Sequence, residues 1–396
     1  MTTTKLWQID DDELHPLVEH YTVGNDRSCD QTLLGYDITA TKAHAHMLSS
    51  ISILSRDEYK QIADTLDALY DKWQKGTFVV TSEDEDGHTA IEKYLTAKLG
   101  PIGKKVHTGR SRNDQALVMM RLYLKDQLSA ISAEVTTLCD AYDQAIAAAG
   151  SQAMPGYTHT QKAMPTTVAL WLGSYRDAFA DTLPYLTNTL ALIDQNPLGS
   201  AAGFGIELPL DREMTTKELS FAKVQDNPLY CGLSRGVFEL ITIQAFVPFM
   251  VFAGKFAEDM LLFTSQEFSF FSLPKSMTTG SSIMPHKRNY DVFEIMRATA
   301  HSYSGHITKL HAITAGVGSG YHRDLQLTKA ITIEACQSAK QTLEVLTLCV
   351  RNLMLNTKHL DAAMTDELYT VAKINKRVAE GMAFRDAYVE VKRTLQ

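Results

Sequence analysis

Apolar residues recur at three- and four-residue spacings along most of the chain, and the segments that carry them are long. That period predicts helices over Asp30–Ser50, Arg56–Lys75 and Thr89–Leu99. Gly76–Thr81 is short and β-branched, which reads as an extended connector or a small strand. Ala116–Ala149 has no Gly or Pro over 34 positions and is apolar on more than one face, through Leu117, Val118, Met119, Met120, Leu122 and Leu124. As one helix it would run about 50 Å, and a helix apolar nearly all round is buried on several sides. Further helices are predicted over Val168–Gln195, bent near Pro184, and over 235–268, kinked at Pro248. Asp291–Ala315 and Leu325–Leu355 complete a set of five long helices, and the last 40 residues read as shorter helical pieces. One bundle cannot cover that much apolar surface. Either other domains wrap it or subunits share it, and sharing with even-numbered symmetry is the expectation. No alternation of strand and helix suggests a nucleotide-binding sheet, and no P-loop or G-x-G-x-x-G is present.

Composition narrows the class. The chain has 396 residues, 45% hydrophobic and 21% charged, enough for two or three domains. A net charge of -8 with no long basic run argues against a nucleic-acid partner. Five cysteines are scattered without a C-x-x-C pair, which fits free thiols in a reducing compartment and no disulfide framework or zinc site. The start, Met1 to Trp7, lacks an apolar signal-peptide core. The longest apolar run, around Ala245–Ala253, is about half of a membrane span. A soluble, cytoplasmic protein without a membrane partner is expected.

Four polar, loop-like clusters interrupt the helical pattern, at 82–92, 105–115, 154–162 and 274–291. The last is bracketed by Pro274 and Pro285, has Gly280 at its middle, and carries Ser281, Ser282, Lys287 and Asn289. It reads either as a Ser/Thr-rich connection or as a closing loop, packed down by Ile283 and Met284, that brings one of the two serines to a substrate. The acidic stretch before His88 is ordinarily a solvated helix N-terminus, and a lone histidine there is ordinarily a cap. Arg110 and Arg112 are equally suited to structural ion pairs. Four such clusters on one chain say more than each alone. Arg112 and Lys287 can pair with carboxylates, and Asn113, Thr158, Ser281 and Asn289 can donate to them. His88 and His159 can titrate near neutrality. Metal-ligand spacing is lacking, so the chemistry expected is metal-free: proton abstraction beside a carboxylate, followed by loss of a leaving group.

Three stretches carry a resemblance. His107-Thr-Gly-Arg-Ser-Arg-Asn-Asp-Gln115, Met154-Pro-Gly-Tyr-Thr-His-Thr-Gln161 and Gly280-Ser-Ser-Ile-Met-Pro-His-Lys-Arg-Asn289 resemble the signature regions of the aspartase/fumarase superfamily. The first is similar specifically to the argininosuccinate lyases, a family that includes the delta-crystallins. Glu85–Thr89, Asn196–Ser200, Leu210–Glu213 and Tyr321–Gln326 agree with it, and the match runs from about residue 15 to 390. The resemblance implies an all-α, three-domain fold: an N-terminal helical domain over 1–104, a central long-helix bundle over 105–355 and a short C-terminal helical domain over 356–396. It implies a homotetramer with a twenty-helix core and active sites shared between three subunits. It also implies cleavage of argininosuccinate to arginine and fumarate, the last step of arginine biosynthesis, with no cofactor.

Roles follow by position. Ser281 is the implied base, its alkoxide stabilised by Lys287 and backbone amides, and Lys287 with Asn289 holds the carboxylate of the carbanion. His159, oriented by Glu294, is the implied relay or acid for the leaving guanidinium. Thr158, Asn113, Arg112 and His88 would bind the fumarate end, and Tyr321, Gln326 and Lys329 the arginine end. Four departures stand out. Asp26 occupies a position where many members have a substrate-binding serine, Gly87 replaces an aliphatic residue, Tyr290 replaces a proline, and the chain stops soon after Phe384–Tyr388. Two other readings are an adenylosuccinate lyase or aspartase, disfavoured by residues 107–115 and by Tyr321, Gln326 and Lys329, and a structural lens-type protein. The latter should have lost some of Ser281, Lys287, Asn289 or His159, all of which are present.

Overall fold

A computed structural model describes residues 14–394; the reading of Met1–Trp7 lies outside these residues. The fold is helical with four two-stranded sheets among the described residues. It divides into two compact units. One comprises the described part of Met1–Ala130 with Tyr185–Phe246 and Ser304–Gln337; the other comprises Ile131–Pro184, Val247–Tyr303 and the described part of Ser338–Gln396.

The first unit is built on the Asp26–Ser50 helix. One face of this helix packs Leu34, Ile38, Ala45 and Leu48 against Ile62 and Leu66 of the Arg56–Gln74 helix and Ile91 and Leu95 of the Gly87–Leu99 helix. A second stripe, Asp30, Asp37, Thr41 and His44, is polar and also buried. Gly35 is required for the packing, because a Cβ there would lie 2.4 Å from the Trp73 ring. Trp73 Nε1 in turn donates to the Gln31 carbonyl at 2.8 Å. Ser55 and Glu58 form a reciprocal capping box that starts the Arg56–Gln74 helix.

In the second unit the core is aromatic. Trp171 stacks on Phe271 at 5.0 Å between centroids and on Phe256 at 5.7 Å. Trp171 Nε1 and the Tyr175 hydroxyl both donate to Asp259, at 2.9 and 2.7 Å, so one half-buried carboxylate satisfies the polar edges of two rings.

Most expected elements form, with shifted ends. Helices occupy Arg112–Ala149, Val237–Phe263 and Thr328–Arg351. Pro248 lies inside a continuous helix. Val237–Phe263 is long and apolar enough to cross a membrane by composition, which the uninterrupted apolar run understates, yet 61% of its most apolar window is buried within the fold. Val168–Gln195 divides into Val168–Ala180 and Leu183–Ile193, with Pro184 in the first turn of the second helix, where a missing N–H costs nothing. Asp291–Ala315 divides at Tyr303. Gly76–Thr81 forms no strand, and the expected loop-like cluster over 154–162 is instead part of an antiparallel hairpin. All five cysteines are buried and free.

Candidate active site

Six of the implied site residues, His88, Arg112, Asn113, Tyr321, Gln326 and Lys329, line one cavity of about 200 Å³ in the first unit. His88 opens the Gly87–Leu99 helix, which Asp86 caps by accepting from the Thr89 amide at 2.7 Å. The imidazole is buried, with Nδ1 2.6 Å from Asp37 Oδ2. Burial alone would discharge it. The Asp37 carboxylate, helped by Asp86 and Asp30, outweighs that and raises its pKa above the ordinary histidine value. Because Nδ1 is committed to Asp37, Nε2 is the nitrogen left for a ligand.

Arg112 is held from three sides. Its guanidinium is 2.9 Å from Glu85 and 3.3 Å from Asp86, and it donates to Thr89 Oγ1 at 3.1 Å. Burial opposes ionisation of Asp86, but His88 and Arg112 hold its carboxyl below the usual range. The acidic stretch is therefore both the helix cap and the counter-charge of the site.

Lys329 Nζ lies 2.7 Å from Asp30 and 2.8 Å from Asp26. Burial would lower its pKa, yet the two carboxylates raise it. Asp30 also accepts from the Gly87 amide at 2.9 Å. A Cβ on Gly87 would come within 3.1 Å of Asp30 Cβ, so this glycine lets the helix start approach the acid. Gln326 donates to the carbonyls of Thr22 and Val23 at 2.9 and 3.3 Å and accepts from Arg323 at 3.2 Å. The Tyr321 ring lies beneath the Arg235 guanidinium, 4.7 Å from its centroid.

The other six implied residues belong to the second unit and do not line this cavity. Thr158 and His159 stand exposed at the tip of a hairpin formed by Ala153–Thr158 and Gln161–Thr167. The connection is the pair His159–Thr160, with φ of 54° and 59°. Both residues thus adopt the left-handed turn conformation that usually selects Asn and Gly. The 274–291 segment is pinned by pairing of Thr279–Gly280 with Arg288–Asn289. Arg288 ties its two legs together, donating to Leu273 O and Thr278 Oγ1 at 3.1 Å each. At the tip, Ser281 Oγ accepts from the amides of Ile283 and Met284 at 3.3 and 3.0 Å. Ile283 is 85% exposed, so it does not pack the loop down. Lys287 is exposed, and Asn289 Nδ2 lies 3.4 Å from Thr279 Oγ1. Glu294 is exposed on the Asp291–Ser302 helix; no hydrogen bond or ion pair joins it to His159 among the described residues.

Sequence reasoning missed Asp37, Asp86 and Arg235. The signal for Asp37 was available: positions 30, 37, 41 and 44 share one face of an otherwise apolar helix.

The chain matches the Lyase family model over residues 16–305. It is 39% identical to an argininosuccinate lyase of Thermotoga neapolitana over 388 residues, covering 97% of this chain and 96% of the relative. It is 42% identical to one from Xanthomonas campestris pv. campestris over 387 residues, covering 98% and 89%. Among solved structures, an EDDS lyase in complex with formate superposes with a TM-score of 0.80 at 22% identity, over 97% of this chain and 76% of the other. A class II fumarase from Schistosoma mansoni gives 0.77 at 17% identity, over 94% and 91%. These likenesses establish the all-α aspartase/fumarase-type fold.

Proposed function

Because the chain belongs to the argininosuccinate lyase family, we propose that it cleaves L-argininosuccinate to L-arginine and fumarate, closing arginine biosynthesis. The observation that carries this reading is identity near 40% across almost the whole chain, joined to six expected residues around one cavity.

Ser281 takes the proton from the carbon β to the departing nitrogen. A serine is a weak base at its free pKa, and the two amides already directed at its Oγ favour the alkoxide, with Lys287 adding charge. The electrons left on carbon delocalise into the neighbouring carboxylate, which Lys287 and Asn289 hold. The C–N bond then breaks towards the guanidino group, and His159, oriented by Glu294, supplies or relays the proton it takes. Thr158, Asn113, Arg112 and His88 hold the fumarate end; Tyr321, Gln326 and Lys329 line the arginine end. No cofactor is needed.

The second-unit residues come to the cavity by assembly into a homotetramer, each active site drawing on three subunits. Leu170, Val251, Ile295 and Leu348, exposed on four helices of the second unit, support such an interface. The organisation that goes with it is 1–104, 105–355 and 356–396. Free buried thiols, and a membrane-length helix, Val237–Phe263, that is mostly enclosed in the fold, support a cytoplasmic setting, and the net charge of -8 argues against nucleic acid as a partner.

The test is fumarate absorbance near 240 nm with purified protein and argininosuccinate, beside a Ser281→Ala control. Release that vanishes in the control supports the lyase and the role of the loop together. Folded tetramer that releases none sinks the proposal, and adenylosuccinate and aspartate are then the substrates to try.

A further inference from the structure

Among the described residues Lys329 is the only lysine lining the cavity, and its charge is already spent. Asp26 and Asp30 sit at 2.8 and 2.7 Å, so the three side chains together carry one net negative charge. A carboxylate entering here would meet that negative charge rather than a free ammonium. An ammonium would be welcome. Burial raises the pKa of Asp26 despite Lys329, which marks a carboxylate short of positive partners.

Arg235 shows the opposite imbalance. It is buried, faces the same cavity, and lies over the Tyr321 ring. No hydrogen bond or ion pair within 4 Å holds its guanidinium among the described residues. A buried guanidinium is stabilised by an anion that takes two of its N–H groups, and a carboxylate has that geometry.

We propose that Asp26 and Arg235 form a clamp for the free α-amino-acid head of the arginine arm, Asp26 receiving the α-ammonium and Arg235 the α-carboxylate. Lys329 then acts through the two aspartates, as a positioning residue, rather than on the ligand. Asp26 is thereby specificity-determining: a serine at that position would leave Lys329 and Asp30 as a neutral pair with no charge for the ammonium. The ligand class rests on the lyase reading, but the clamp is measurable without turnover.

The experiment is calorimetric titration of the intact protein with L-arginine, with agmatine, which lacks the carboxylate, and with 5-guanidinopentanoate, which lacks the ammonium. Wild type should bind arginine at least about 10-fold more tightly than either analogue, the scale of one charged hydrogen bond. Asp26→Ser should lose the preference over 5-guanidinopentanoate and keep the preference over agmatine. Arg235→Met should do the reverse, and Asp26→Asn, closer in shape, should repeat the serine result if either variant folds poorly. Equal weakening of all three ligands, or no discrimination by wild type, overturns the clamp. Wild type that discriminates but releases no fumarate overturns the lyase reading and leaves the clamp standing; fumarate release with unchanged discrimination in Asp26→Ser does the converse.

Discussion

The cavity of the first unit and the two exposed tips of the second hold their functional groups by different means. In the cavity, side chains hold side chains: Asp37 fixes His88, Glu85 and Asp86 fix Arg112, and two aspartates fix Lys329. At the tips the backbone does the holding. Two left-handed residues present His159, and a short ladder with two amides presents Ser281. Binding groups gain from an enclosed, mutually bonded network that keeps its shape before the ligand arrives. In the proposed mechanism the groups that move protons ride on edges that assembly brings to another surface. The two regions should therefore fail differently when altered.

The widest gap is expected at Ser281. Ser281→Ala should lower kcat by about 10³-fold or more in the fumarate assay, while shifting stability by no more than about 0.5 kcal/mol, since it replaces a partly exposed hydroxyl. In contrast, Lys329→Met should destabilise the fold by about 3–5 kcal/mol in urea denaturation, because it strands the buried Asp30 and the largely enclosed Asp26. Adding Asp26→Asn should recover part of that loss. A Lys329→Met protein of undiminished stability would break the comparison.

A smaller effect separates two histidines of the first unit by sign. Burial holds the His44 pKa down at about 3. The unfolded chain, near 6.5, binds the extra proton between those values, so stability should fall as pH drops through that window, by about 1.4 kcal/mol per pH unit. His44→Leu should flatten this slope. For His88 the folded pKa is raised, so its contribution is complete below about pH 6.5 and lost as pH rises through the folded value. His88→Asn should remove that alkaline loss. The smallest change is at the hairpin tip, where Thr160→Gly should relieve a left-handed φ and raise stability by up to about 1 kcal/mol in thermal melts.

What could be read from the sequence follows the same division. The long helices declared themselves through period and the absence of breakers, and the polar clusters flagged His88, Arg112 and Ser281. The hairpin did not. Pro155 and Pro165 face each other in its register, and its turn pair is His-Thr where Asn-Gly would have announced it. Asp26 stood out only as a departure at a binding position, and Arg235 was hidden for another reason. A single charge in a helical run looks solvated, and only tertiary structure shows which cavity it faces. The periodicity also starts a helix at position 235, whereas the chain first turns through Gly236, with φ of 77°, and the helix begins at Val237.

The five buried thiols offer a view of motion. Three, Cys29, Cys231 and Cys336, lie in the first unit, and Cys139 and Cys349 in the second. Burial pushes Cys29 up to about 11 and Cys336 and Cys349 to about 12, so none is reactive while enclosed. A thiol reagent can modify them only during transient openings, and each labelling rate becomes a clock for the local unfolding of one unit. Cys29 is next to the wall of the cavity, and its rate should slow when the cavity is filled.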